Sequence, residues 1–284
     1  MTAPTLAEVV AALEQLYPPQ WADDWDAVGL VVGDPQRPVR SVLFAVDPAP
    51  AVVDQAVSGG VDLLVVHHPL LLRPVSSVAA STPKGAAVHS LITHGIALYT
   101  AHTNADSPAR GVSAALAAAL GVRDARPLVP DAEAVDRGSG RIGELERALP
   151  LREFADRVAA ALPATAVGAR VAGDLDQPVR TVAVAGGAGD FLLDAVARSG
   201  ADVYVTSDLR HHPAAEFRER PGAPALIDIP HWAAEWTWLP VADDALRRAL
   251  DERGLAVSTE VSRVRTDPWD HRTSGPARTP DPSA

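Results

Sequence analysis

Five residues of this 284-residue chain combine the side chains and the placement needed to hold metal ions: His67, His68, Asp106, His231 and Glu235. Three neutral imidazoles and two carboxylates can hold two divalent cations and leave open positions for water, whose pKa such cations lower from about 16 towards about 7. The leading pair closes Asp62-Leu-Leu-Val-Val-His-His-Pro69, an apolar run entered from Gly59-Gly60 and stopped by Pro69. Such a run reads as a short buried parallel strand, and loops at the carboxyl ends of strands in open α/β sheets are where binding groups are presented. Adjacent side chains on extended backbone point to opposite sides, so His67 and His68 would serve one metal poorly and two neighbouring metals well. Taken alone, a His-His pair is more often a backbone-bonded cap than a ligand pair. His231 and Glu235 stand four apart after Ala225-Leu-Ile-Asp-Ile-Pro230, so on a helix they share one face. A solvated pair beside a tryptophan-rich core face is the competing reading there. With no cysteine in the chain, any metal is held by His, Asp and Glu, a donor set that suits Zn, Mn, Fe, Co or Ni.

The elements that must position these groups alternate between strand and helix. Thr5 and Glu8 form a capping-box pattern ahead of Leu6, Val9, Val10, Leu13 and Leu16, an amphipathic face that Pro18-Pro19 ends. Asp26, in the acidic and aromatic stretch that follows, could line a site, but such a residue more often caps a turn. Ser41 to Asp47, Pro50 to Ser58 and Asp62 to His67 read as a βαβ unit. The unit returns with a constant offset, since 181 − 41, 194 − 54 and 202 − 62 all equal 140 when Thr181-Val-Ala-Val-Ala, Leu192-Leu-Asp194 and Gly200-Ala-Asp-Val-Tyr-Val are set beside their counterparts. The fold class is therefore α/β, with two related lobes produced by internal duplication. His211-His212-Pro213 comes four residues later than that offset requires, so it is not given the metal role of His67-His68-Pro69.

Ile96 to Ala101 forms a further strand running into His102-Thr-Asn-Ala-Asp106, and Ser107-Pro108 suits the start of an Ala/Leu-rich helix that stops at Gly121. The Pro, Gly and acid content of Arg126 to Gly140 marks a lobe boundary. A strand from Arg141 and a helix from Leu151 to Ala161 follow. We expect residues 1–125 with 227–267 to form the lobe carrying the ligands, 126–226 the second lobe, and the proline-rich 268–284 a disordered tail. Gly186-Gly-Ala-Gly189 follows a strand and opens a helix, an arrangement able to seat a phosphate, although such turns are also common for steric reasons alone.

The totals exclude several classes. A composition 47% hydrophobic and 21% charged describes a globular chain. A net charge of −11 argues against nucleic acid as the main partner, because that affinity is largely phosphate neutralisation. No run approaches the roughly 20 apolar residues of a spanning helix, and the first residues lack a signal peptide's basic and apolar regions, so the expected location is the cytoplasm, away from membranes.

In this setting the sequence resembles the Nif-three-like dinuclear metal-centre family, whose members are also called GTP cyclohydrolase I type 2 homologues. The resemblance runs from about Leu6 to Trp269. It is carried by Trp25-Asp-Ala-Val-Gly-Leu, His67-His68-Pro69, Tyr99-Thr-Ala-His-Thr-Asn-Ala-Asp106, Gly140-Arg-Ile-Gly-Glu144, Gly186-Gly-Ala-Gly, Ala201-Asp-Val-Tyr-Val-Thr, and His231 with Glu235. It implies a two-lobed fold assembled as a toroidal homohexamer, with two divalent metal ions per chain on His67, His68, Asp106, His231 and Glu235. It also implies hydrolysis at the purine C8 of a small, nucleotide-like substrate such as GTP. His102 is then the candidate acid–base group, or else a support for the Asp106 loop, and Gly186, Gly187, Gly189, Thr103 and Asn104 are the candidate substrate contacts. The chain departs from the family pattern at Pro230, Trp232 and Ala234, and has Thr206-Ser-Asp208 in place of a Thr-Gly-Glu pattern, which puts metal identity and substrate preference in question. The same ligands would also serve a metal storage or delivery protein without turnover, and the tryptophans of 232–238 could belong to a regulatory interaction surface.

Overall fold

The computed structural model describes residues 3–132 and 134–273. Residues 274–284 of the expected tail lie outside the described residues, and 262–273 carry no regular element. The strands are β1 Gly29–Val32, β2 Ser41–Ala45, β3 Leu63–Val66, β4 Ala97–Thr100, β5 Arg123–Pro130, β6 Gly138–Pro150, β7 Arg170–Ala172, β8 Pro178–Ala188, β9 Val203–Ser207, β10 Ala225–Asp228 and β11 Ser258–Val261. The helices are α1 Leu6–Leu16, α2 Pro50–Gly59, α3 Pro83–His94, α4 Thr103–Asp106, α5 Val112–Ala119, α6 Leu151–Ala161, α7 Leu193–Ser199, α8 His211–Arg218, α9 His231–Trp236 and α10 Leu239–Asp251.

Two sheets result, ordered β1-β4-β3-β2-β11 and β5-β6-β8-β9-β10-β7. In the first, β4, β3, β2 and β11 are parallel and β1 is antiparallel to β4. In the second, β8, β9 and β10 are parallel and both flanks are antiparallel. Alternate strand residues face opposite layers, as a period of two requires. Val42, Phe44, Leu63 and Val65 pack with α1 and α10, whereas Leu43, Ala45, Leu64 and Val66 pack with α2 and α3.

The duplication holds in atomic detail. Val42 pairs with Leu63 and Val182 with Val203, each partner displaced by 140. The Asp62 carboxylate accepts the backbone N–H groups of Arg40 and Ser41, and the Asp202 carboxylate those of Arg180 and Thr181. Gly33 and Gly173 match as well. Both have positive φ, 136° and 154°, and a Cβ there would strike Ala97 and Leu6 in one lobe and Ala225 and Leu151 in the other. A side chain fits neither backbone angle nor space.

Two details go beyond the sequence reading. The stretch from Arg126 to Gly140, read as a lobe boundary, is mostly strand and belongs to β5 and β6, an antiparallel pair of the second sheet. β5 is an edge strand, the position that tolerates Pro127 and Pro130. The Ala-rich helix starts at Val112 rather than at Ser107: α4 ends at Asp106, and residues 107–111 form a turn in which Gly111 N donates to Pro108 O.

Candidate metal centre

The carboxyl ends of both sheets converge on one cage. β3 delivers His67 and His68, β4 leads through His102 into the α4 turn that carries Asp106, and β10 leads through Pro230 into α9, which carries His231 and Glu235 on one face. Glu235, only 3% exposed, is the hub. Its Oε1 lies 2.7 Å from His231 Nε2 and 3.5 Å from His67 Nε2, and its Oε2 lies 3.0 Å from His68 Nε2. Asp106 Oδ1 stands 3.6 Å from His67 Nε2. All five residues proposed from sequence are thus brought together.

Each imidazole is held from behind. His67 Nδ1 donates to Ala101 O at 2.8 Å, His68 Nδ1 to Asp47 at 2.7 Å, His231 Nδ1 to Asp208 at 2.7 Å and His102 Nδ1 to Asp26 at 2.9 Å. Carbonyls and carboxylates only accept, so Nδ1 carries the hydrogen and Nε2 is left facing inward. His67 also rests against the buried Trp238 ring, 5.5 Å away, whose Nε1 donates to Tyr17.

Electrostatics tie the cage together. Burial disfavours the charged form of His68 most strongly, yet the facing Glu235 carboxylate and the Asp47 bond outweigh it and lift the imidazole to about 11. His231 is lifted to about 10 against burial by Glu235 and Asp208. Burial pushes Glu235 upward, but three surrounding imidazoles hold it well below the usual carboxylate range. The Asp106 carboxyl is raised, chiefly by burial. Its side chain is partly exposed, but Oδ1, the atom that faces His67, is enclosed.

The donor set fits a cation. His67 Nε2 and Asp106 Oδ1 are buried without a hydrogen-bond partner and face each other at 3.6 Å, and such orphans converging on one point are what a metal would satisfy. Two overlapping groups have their ligand atoms within 4.8 Å of one another: His67, His68 and His102, and His68, His231 and Glu235. His102 therefore stands among the imidazoles that could hold a metal.

The cage opens into a cleft of about 770 Å³ whose walls include Trp25, Thr103, Gly186, Gly187 and Phe191. A second opening of about 500 Å³, lined by Asp208, Thr266 and Trp269, reaches His68 and His231 from the other side. Of the expected substrate contacts, Thr103, Gly186 and Gly187 line the cleft, and Asn104 and Gly189 do not. Asn104 is buried, accepting from His102 N and donating to Tyr17 O, so it holds the loop instead of meeting the cleft. Gly187, at φ 71°, lies where a Cβ would come 2.7 Å from Glu235 Oε1. Gly189 is followed by a 3-10 turn, and its carbonyl is held by Tyr204. The glycine turn thus makes room for the cage.

Sequence reasoning missed Asp47 and Asp208 and underweighted Asp26. Asp26 accepts from Thr103 N, a capping role, but also orients His102. Asp208 has positive φ, 55°, and occupies the place equivalent to His68, 140 residues on. The exposed His211-His212 pair lies on α8, outside both metal-capable groups.

These features define a two-lobed α/β protein whose clustered histidines and carboxylates could hold metal. The chain belongs to the Duf34/NIF3 (NGG1p interacting factor 3) family, which it matches over residues 4–268. It is 52% identical over 276 residues to a Streptomyces coelicolor protein named GTP cyclohydrolase 1 type 2 homolog, covering 96% of each chain. A Mycobacterium tuberculosis protein of the same name is 38% identical over 376 aligned positions, covering 94% of this chain and 98% of that one. Among solved structures, a Bacillus cereus protein related to NIF3 superposes with a TM-score of 0.87 at 25% identity, covering 95% of this chain and 99% of its own. No helix among the described residues is long and apolar enough to cross a membrane.

Proposed function

We propose that the protein is a dinuclear divalent-metal hydrolase acting on a small nucleotide-like substrate, with a purine ring hydrolysis of the kind suggested by its relatives' name. The observation that carries this reading is Glu235, whose two oxygens face different imidazoles at the floor of an open cleft. Such a carboxylate suits a bridge between two ions. Two divalent cations would supply Lewis acidity and an acidified water at neutral pH. His67, His68, Asp106, His231 and Glu235 would hold them. We assign His102, expected as an acid–base group, to the cage instead, because it shares the carboxylate clamp at Nδ1 and groups with His67 and His68. The 770 Å³ cleft favours turnover over storage, since a storage site needs no substrate volume.

The test is metal content of untagged protein beside His231→Ala and Glu235→Ala, followed by assays of guanine compounds with Mn, Fe, Co, Ni and Zn. About two ions per chain, lost in both variants, with chelator-sensitive ring hydrolysis, is the expected result. Ions bound without turnover on any purine compound would replace the hydrolase by a storage protein, and failure to bind ions after reloading would reject both. The family resemblance also leads us to propose a ring of six chains. With 29.7 kDa per chain, light scattering should read 6 × 29.7, about 178 kDa.

A further inference from the structure

We infer that the cleft over the cage recognises a planar aromatic heterocycle, a nucleobase or nucleoside, by stacking on Trp25 and Phe191, and that the chain's own side chains there offer no cation to a phosphate, so any hold on phosphate would come from bound metal. This rests on the hydrolase reading for the purpose of the site and narrows its substrate class.

The first observation is where aromatic surface is left in water. Among the described residues, the exposed Trp and Phe side chains are Trp25, Phe191 and Trp269, at 58%, 70% and 62%. Trp25 and Phe191 line the main cleft and Trp269 lines the second opening, so all three border the same two histidines, His68 and His231. Large rings left exposed at one place mark a contact surface more often than chance placement does. Trp25 precedes β1 in the first lobe, and Phe191 lies in the 3-10 turn after β8 in the second, so the rings come to one cleft from separate sheets. The Trp25 ring meets His102 edge-on at 5.8 Å, which puts it beside the cage.

The second observation is charge. None of the described residues lining the main cleft is Lys or Arg, and its acidic lining residues are Asp23, Asp106, Asp131 and Glu235. Two arginines that touch or adjoin its lining residues are committed. Arg137 lies 4.8 Å over the Trp21 ring and 2.9 Å from Asp131, while Arg141 is buried and donates to the carbonyls of Ser107, Pro108, Gly138 and Gly140. Phosphate is ordinarily met by Arg forks, Lys or the amides of a helix start, and the glycine turn here leads into a 3-10 turn. The polar surface that remains is hydroxyl. Ser107 Oγ, buried without a partner in the cleft wall, suits the polar edge of a heterocycle.

Binding of guanosine and of GTP to the full chain, metal-free and metal-loaded, measured by calorimetry with metal content determined in parallel, tests the inference. The two probes share a base and differ only in phosphates. On metal-free protein guanosine should bind at least as tightly as GTP. Trp25→Ala and Phe191→Ala should each weaken guanosine about 5- to 100-fold, the worth of one stacked ring, and Trp25→Phe should restore most of the loss without altering metal content. Both rings are exposed, so these variants fold. GTP binding tenfold or more tighter than guanosine on metal-free protein, guanosine affinity indifferent to both alanine variants, or no binding of either probe would each overturn the inference. Ring-dependent binding without turnover would remove the hydrolase reading alone, and turnover indifferent to both rings would remove this inference alone.

Discussion

Loading the cage with two divalent cations at about pH 7.5 should release at least two protons per chain. Ligation needs imidazoles with a free Nε2, yet without a cation Glu235 lifts His68 to about 11 and His231 to about 10, both against burial. Each therefore holds a proton that a metal must displace. His67 is raised as well, against burial, by Glu235 and Asp106, and adds whatever fraction of a proton it carries. Glu235 is already ionised and releases none. With two protons exchanged, the product of the two binding constants should rise about 100-fold per pH unit between about pH 6 and about pH 9. Calorimetric titration in buffers of different ionisation enthalpy reads the number directly as the slope of observed against buffer enthalpy. Glu235→Gln keeps the shape and removes the charge that holds the protons, so its slope should fall towards zero while its affinity drops. A wild-type slope indistinguishable from zero would mean that the imidazoles are neutral before the metal arrives, and would refute the claim that Glu235 governs the cage.

The same groups set the stability of the metal-free protein. A raised histidine stabilises the fold fully below its unfolded value, near pH 6.5, and loses that contribution as pH climbs towards about 10 or 11. Glu235, held low, contributes above its ordinary range and loses this only in acid well below pH 4.5. Thermal melts of metal-free protein should therefore decline from about pH 7 to about pH 10, and metal-loaded protein should not; parallel profiles would count against the coupling. Asp47→Ala and Asp208→Ala each release one imidazole from its rear clamp and should weaken metal binding about 10- to 100-fold in a chelator competition. Wild-type affinity in both would show those carboxylates to be idle. Gly187→Ala combines positive φ with a Cβ pressed on Glu235, so it should cost about 1–3 kcal/mol, read as a lower melting temperature, together with reduced metal content. If neither changes, the close approach has no consequence.

What could be read from the sequence follows what the backbone repeats. The offset of 140 was visible because strand parity and the helix-ending Gly60 and Gly200 leave local marks, and both glycines take the left-handed conformation. The five ligands were visible because each follows a strand-like run. Their clamps were not, since a lone aspartate after a strand looks like any turn cap. Only the parallel register, a shift of 21 residues between β2 and β3, sets Asp47 beside His68. Matching letters alone do not locate the cage. The second His-His-Pro stands four residues past the offset and outside the site, and the position equivalent to His68 is Asp208, which serves the cage by holding His231. Asn104 read as a substrate contact because nothing local shows that Tyr17, 87 residues earlier, takes its amide.

The cage sits between the sheets because the lobes exchange helices. β4 leads through α4 into α5, yet Leu116, Ala117 and Leu120 of α5 join the core of the second sheet. β10 leads through α9 into α10, whose Leu239, Ala242 and Leu246 join the first. Each crossing passes the carboxyl ends of the strands, and on it ride Asp106 in one direction and His231 with Glu235 in the other. Metal held by Glu235, His68 and Asp106 would therefore join two crossings as well as two lobes. Cation loading should then protect the amides of α5 and α9 from hydrogen exchange more than those of α2, which lies on the outer face of the first sheet. Equal protection of all three helices would show that the metal stabilises the fold as a whole and does not act at the exchange.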